Sequence, residues 1–225
     1  MSGFAQQAAS FLVKDVRLEL RGRHSIGVVV PFAASQLIAF GLSLGPARPV
    51  LLEAAPGLLW LAVLFAAVLS FRGAYELEGE DGALESIVLA PIDRAAVFLG
   101  KAGAVALQLL VLEAIVVLLS EALFGIGPGG NIGVLFATMV LGTIGLSAIG
   151  SLFGVLTETA RAREAVFPLL VLPLVVPVVV AAVKATAAAD ASNAAEAIPW
   201  LGTLAVFDLV FASAGAILFE HLIED

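Results

Sequence analysis

The chain has 225 residues, of which 61% are hydrophobic and 13% charged, with a net charge of −8 and a mean hydropathy of +1.09. That charged fraction is about half of what an ordinary soluble domain carries, so a water-soluble globule is excluded and membrane-spanning segments are implied. Cysteine is absent, which removes disulfides, thiolate metal sites and cysteine nucleophiles together.

Crossing ~30 Å of hydrocarbon takes ~20 helical residues at a rise of ~1.5 Å each. Six apolar runs meet that length, at roughly 26–45, 56–75, 102–124, 132–156, 165–184 and 200–220. The rest is connection, so residues 1–225 read as a single all-α integral membrane domain with six transmembrane helices. Nothing resembles a cleavable signal, because the first apolar run begins only near Ile26 and is long enough to span. The acidic excess sits in loops and at Glu220, Glu224 and Asp225, where it reads as solvation.

Orientation follows from Lys and Arg alone. With the amino terminus inside, the inner segments carry Lys14, Arg17, Arg21, Arg23, Arg72, Arg94, Lys101, Arg161 and Arg163, and the outer ones only Arg48 and Lys184. Both termini are therefore expected in the cytoplasm.

In chain order, residues 4–23 come first. Phe4, Ala8, Phe11, Leu12, Val16 and Leu20 recur at helical spacing, with Lys14, Arg17 and Arg21 on the other side. This pattern predicts an amphipathic helix in the membrane interface, with basic groups near anionic headgroups. A cytoplasmic helix packed on the spans is the alternative, and the two are compatible. Span one contains Pro31 and Gln36, and a short outer loop is expected over 46–55.

Span two ends at Phe71-Arg72, with Tyr75 at the expected aromatic depth. It is followed by the one conspicuous connection, residues 71–101, which is long and acidic. Leu84, Ile87 and Val88 fall on one helical face and Asp81 can cap it. Pro91 disfavours helix at Ala90, and Asp93 can cap a new helix that runs from Arg94 into span three. The expectation is a short cytoplasmic helix, a break, and a restart at the membrane face.

Span four carries Ser147, Gly150, Ser151 and Gly154, small residues spaced four apart as 147/151 and 150/154. Such faces let helix backbones approach closely in lipid. Span five contains Pro168, Pro173 and Pro177, and the last two predict a kink. Residues 185–199 are expected to form the largest outer connection, Ala-rich and weakly helical, with Trp200 at the outer interface where span six begins.

The intramembrane polar residues are Glu113 in the middle of span three, Gln108 before it, and Asp208 in span six. An ionised side chain at bilayer centre costs roughly 2.5–3.5 kcal/mol on insertion scales. The two acids are therefore either proton or cation sites of a transporter or hydrogen-bonded struts facing other helices, with the struts favoured. His24 and His221 have no companions at metal-ligand spacing, so no metal site is expected, and Met139 reads as packing. There is no nucleophile elbow, zincin motif or P-loop. The chain is thus expected to be non-catalytic, with any ATP hydrolysis supplied by a partner.

The string LESIVLAPIDRAAVFLGK, residues 84–101, resembles the cytoplasmic loop of the CcmB family, the permease subunit of the ABC transporter of cytochrome c maturation. The motif positions are Gly82, Leu84, Glu85, then Leu89, Pro91, Asp93, Arg94, then Phe98, Leu99, Gly100, Lys101. Residues 11–23 look like that family's amino-terminal helix, and 167–180 like its proline-containing fifth span. Ala90 stands where the family more often has Ser, and the Ala-rich stretch 185–195 is a second departure.

The resemblance implies a coupling helix over 81–90 that grips a separate ATPase. Its contact residues would be Asp81, Gly82, Leu84, Glu85, Ile87, Val88, Pro91, Asp93 and Arg94, and Glu76, Glu78 and Glu80 could meet basic groups of that partner. It further implies a CcmA-type ATPase, CcmC-type and CcmD-type membrane subunits, a CcmE-type haem chaperone and the lipid bilayer as partners, and no nucleic acid. The resemblance places the chain in a bacterial inner membrane, where ATP hydrolysis by the partner would drive either haem export or release of the haem-loaded chaperone, with haem a possible cargo and no cofactor bound directly. Two alternatives remain: an ABC-type permease for another cargo, and a proton-coupled secondary transporter using Glu113 and Asp208.

Overall fold

The computed structural model describes residues 3–22, 24–45, 47–80, 93–124, 130–156, 163–191 and 193–222. Among these there are seven helices and no strand: α1 (Phe4–Gly22), α2 (His24–Leu44), α3 (Arg48–Glu80), α4 (Arg94–Phe124), α5 (Ile132–Leu156), α6 (Arg163–Asp190) and α7 (Ala194–Leu222). Among the described residues five helices, α3 to α7, are long and apolar enough to cross a membrane, and α2 holds a shorter apolar stretch, Val30–Leu44.

Two connections are shorter than the hydropathy pattern suggests. The loop expected over 46–55 closes at Arg48, where Val50 and Leu51 donate to the Ala47 carbonyl, and Pro56 lies inside α3. Leu51, Leu52, Glu53, Ala54 and Ala55 are strong helix formers, so the helix starts well before the apolar window deepens. The long connection expected over 185–199 is likewise mostly helix, with α6 running to Asp190 and α7 starting at Ala194. Alanine loses no side-chain entropy on becoming helical, and the alanines continue both helices up to a turn at Ala191.

That turn is closed by side chains. Asn193 accepts from the Glu196 N–H, and its own amide donates to Glu196 Oε2 at 3.0 Å, a reciprocal cap at the start of α7. On the opposing connection Asn131 caps α5 through Val134, and its N–H donates to the Ala189 carbonyl at 2.9 Å. Gly130 makes this approach possible. Its φ is 68°, and a Cβ there would lie 2.0 Å from Ala189 O, so only glycine fits.

Helix α5 is central. Half of its apolar window is buried, against 17% for α7. The core joins Trp60, Val63 and Phe71 of α3, Leu109 and Val116 of α4, Leu146 and Ile149 of α5, Val171, Val175 and Val178 of α6, and Leu204 of α7. Helix α7 turns Val206, Leu209, Val210 and Ile217 outward, as a helix with one face toward lipid would. Helix α6 is continuous through Pro173 and Pro177, and both prolines lie on its exposed side.

Candidate functional site

The membrane-depth acids both face α5. Glu113 of α4 is fully buried, and the Thr143 hydroxyl of α5 donates to its Oε1 at 2.7 Å. Asp208 of α7 is buried, with its carboxyl against Gly145 of α5. A Cβ at position 145 would lie 2.8 Å from Asp208 Oδ1, so the glycine is what lets the acid in. Glu113 Oε2 and both Asp208 oxygens have no hydrogen-bond partner among the described residues. The two acids are not brought together: Thr143 and Gly145 are two residues apart, and so on different sides of α5. Gln108 is half-buried on α4. Thr143 and Gly145 were not singled out from sequence, since nothing local marks a threonine or glycine in an apolar run as the partner of a distant acid.

Small residues of α5 receive aromatic rings. The Phe71 ring of α3 lies on Gly150, where a Cβ would meet Cζ at 2.1 Å, and Trp60 of α3 lies on Gly142 in the same way. The Trp60 indole N–H donates to Thr186 Oγ1 of α6 at 2.9 Å in a buried site. Ser147, Ser151 and Gly154 are also buried, and the Ser147 hydroxyl donates back to the Ile144 carbonyl of its own helix.

Around the acidic connection, Asp81, Gly82, Leu84, Glu85, Ile87, Val88 and Pro91 lie outside the described residues, so the expected helix over 81–90 does too. The flanks are described. Helix α3 continues to Glu80, and α4 restarts at Arg94. Asp93 caps α4, its Oδ1 accepting from Ala95 at 3.0 Å and Ala96 at 3.3 Å. The Asp93 N–H in turn donates to Gln7 Oε1 of α1 at 3.0 Å. Arg94 is half-buried in the first turn.

The motif Phe98-Leu99-Gly100-Lys101 is an assembly joint. Phe98 is fully buried with its ring on Gly215 of α7, where a Cβ would meet Cζ at 2.1 Å. Gly100 lets α1 approach α4, since a Cβ there would lie 2.6 Å from Phe11 Cβ and 2.7 Å from Ala8 O. Lys101 is buried, with Nζ 3.9 Å from Asp15 of α1. Ala8, Phe11 and Leu12, the apolar edge of α1, therefore face α4, which is the packed arrangement of this helix. Gln7 is a further positioning residue that the hydrophobic pattern of α1 does not reveal.

Among the described residues no group of three His, Cys, Asp or Glu is placed to hold a metal ion. His24 opens α2 and His221 lies in the last turn of α7.

A bundle of long apolar helices, with Glu113 and Asp208 buried between helices and a long acidic connection flanked by two anchored helices, defines a multi-pass helical membrane protein. The CcmB protein family matches residues 6–220, and the chain belongs to it. It is similar to heme exporter protein B of Paracoccus denitrificans, 32% identical over 75% of this chain and 77% of that protein. Heme exporter protein B of Escherichia coli K12 is 33% identical over 89% of this chain and 90% of its own length. The protein of the same name from Pseudomonas aeruginosa is 31% identical over 74% of each.

Proposed function

We propose that the chain is the non-catalytic permease subunit of an ABC transporter of cytochrome c maturation, and that it couples ATP hydrolysis by a CcmA-type ATPase to haem delivery. The family membership over residues 6–220 carries this reading, and the relatives named heme exporter protein B supply haem as the cargo. In this reading α2 is a sixth span, since its 21 residues reach ~31 Å at ~1.5 Å each. The chain is one integral membrane domain of a bacterial inner membrane, with both termini cytoplasmic and α6 bent at Pro173 and Pro177. Helix α1 packs on α4 and lies at the inner interface with Lys14 and Arg17 toward headgroups.

Residues 81–90 act as the coupling helix. Leu84, Ile87 and Val88 enter a groove of the ATPase, and Asp81, Glu85, Glu76, Glu78 and Glu80 meet its basic groups. What supports this role is the anchoring of both flanks. A handle works only if force on it moves the transmembrane helices, and α3 and α4 are each keyed into a neighbouring helix close to the segment.

The output is release of haem-loaded CcmE-type chaperone, in an assembly with CcmC-type and CcmD-type subunits, rather than passage of haem through this subunit. The sequence has two histidines, both at the end of the bundle that carries segment 81–92, and no outer-face haem ligand among them. Co-purification with the ATPase is the test. Leu84→Asp and Val88→Asp are expected to abolish it while Glu113→Gln preserves it. ATPase bound equally by both Asp variants would refute the coupling role. ATP-dependent haem flux through liposomes holding only the ATPase and this chain would refute the release reading.

A further inference from the structure

Thr143, Ser147 and Ser151 stand at intervals of four along α5, one above another on the same side of the helix. All three are buried in the bundle. The Thr143 hydroxyl donates to Glu113 Oε1, and the Ser147 hydroxyl is turned back to the Ile144 carbonyl of its own helix, so its oxygen can still accept. In the other direction from Thr143 the same side of α5 carries Met139 and Leu135. The line of hydroxyls is therefore one-sided. It runs from Glu113 toward the Leu156 end of α5 and gives way to apolar side chains toward Ile132. Thr138, the remaining buried hydroxyl of α5, lies off this line and donates to the Val134 carbonyl.

Glu113 is the blind end of that line. Its side chain is fully buried, and Oε2 has no hydrogen-bond partner among the described residues. A brace between α4 and α5 needs only the oxygen that Thr143 already engages, and a buried oxygen left unpaired costs ~1–3 kcal/mol. The charges of the neighbouring helices lie elsewhere. Helix α5 has none, and α2 carries only His24, at its start. Helix α1 brings Asp15 to Lys101, ~18 Å down α4 from Glu113 at ~1.5 Å per residue. Helix α3 has its charges toward its two ends, and α7 holds Glu196, Glu220 and His221 in its end turns. Asp208 of α7 sits on Gly145, on another side of α5, where there is no hydroxyl.

Helical residues four apart have Cβ atoms ~5–6 Å from each other, about twice an O–H···O distance of ~2.7–2.8 Å. One water between successive hydroxyls completes a hydrogen-bonded line, and buried waters hold where two to four polar partners surround them. We infer that Glu113 is a proton-binding site, loaded and unloaded at Oε2 along a water-bridged line of Ser147 and Ser151 that opens at the Leu156 end of α5. Thr143 fixes the carboxyl at the head of the line. In loading, a proton enters beside Ser151, each water and hydroxyl accepts one proton and releases another, and Oε2 takes up the last. Unloading is the reverse, and only O–H bonds form or break. Ser147 and Ser151 are positioning residues for the waters, and Glu113 holds the proton. The inference goes beyond the coupling role and does not depend on it.

Infrared difference spectroscopy of the intact chain in lipid nanodiscs tests it. The carbonyl band of protonated Glu113 is the band lost in Glu113→Gln. If that variant does not assemble, it is the band that shifts in Thr143→Val, where Oε1 loses its donor. On transfer to heavy water this band is expected to move as deuterium replaces the proton. Ser147→Ala and Ser151→Ala are each expected to slow that replacement several-fold, and Thr138→Val to leave its rate unchanged. A Glu113 band that never exchanges marks a sealed strut and overturns the inference, as does the absence of any protonated band assignable to Glu113. Exchange as fast in both alanine variants as in the unaltered chain, or slowed as much by Thr138→Val, overturns it too. None of these outcomes bears on ATPase binding, which co-purification judges separately.

Discussion

Thr143 and Glu113 form a hydrogen bond between α5 and α4, 2.7 Å from hydroxyl to carboxyl, with both side chains fully buried. Thirty residues separate them, so the pair exists only once the two helices have docked. Thr143→Val keeps the shape and removes the donor. Interhelical hydrogen bonds in membranes contribute about 0.6 and at most about 1.7 kcal/mol, and a buried acceptor left unpaired adds ~1–3 kcal/mol. A loss of about 1–3 kcal/mol is therefore expected on detergent unfolding, with Thr143→Ser close to the unaltered protein. Equal stability of the valine and serine variants would show that the bond contributes nothing.

Gly150 and Gly57 make a matched comparison. A methyl at Gly150 would collide with the Phe71 ring, whereas nothing lies within 4 Å of the site a Cβ would take at Gly57. Overpacking typically costs ~1–3 kcal/mol, and alanine gains ~0.5–1 kcal/mol over glycine in a helix interior. Thermal melts in one detergent should therefore place Gly150→Ala below the unaltered chain and Gly57→Ala at or above it. The reverse order would contradict the ring-on-glycine packing.

Gly100→Leu tests how α1 is held. The added side chain would drive into Phe11 and the Ala8 carbonyl, so α1 should lift from α4 while the spans remain assembled. Trypsin cleavage at Lys14 and Arg17 reads this directly. Cleavage should accelerate at least several-fold in the variant with no change in the remaining fragments. Unchanged protection of both sites would mean that α1 is held by something other than this joint.

Asp93→Ala removes the cap of α4, a loss worth ~0.5–2 kcal/mol, whereas Asp93→Asn keeps an accepting oxygen and should lose far less. Hydrogen exchange localises the effect. Ala95 and Ala96, whose N–H groups donate to the Asp93 carboxylate, should lose protection in the alanine variant, and residues beyond Val105 should not. If the asparagine variant exchanges as fast as the alanine one, the carboxylate acts here through charge rather than as a cap.

Much of the fold is legible in the chain, for a physical reason. A segment that crosses hydrocarbon must satisfy its own backbone hydrogen bonds, so a long apolar run is necessarily a helix, as over 132–156 in α5. The restart of α4 at Arg94 was equally readable, because Pro91 and the Asp93 cap act locally. The helices extend past the apolar windows over 48–55 and 185–190 because hydropathy reports depth in the membrane, whereas the ends of a helix follow propensity and capping. Leu51, Glu53 and the alanines of 185–189 sustain helix beyond the apolar core.

The site divides along the same line. Amino-acid order alone determined that Glu113 and Asp208 sit at membrane depth, that Gly150 and Gly154 leave gaps on a helix face, and that an acidic segment joins α3 to α4. It also carried the motif that places the chain in the CcmB family. Only tertiary structure decided that both acids face α5, that Phe71 fills the gap at Gly150, and that Gly100 and Lys101 of the motif meet α1 within the same chain. Helix formation is a matter of neighbours in sequence, whereas the filling of a missing Cβ depends on which helices dock and at what register, a choice made by packing between residues far apart in the chain.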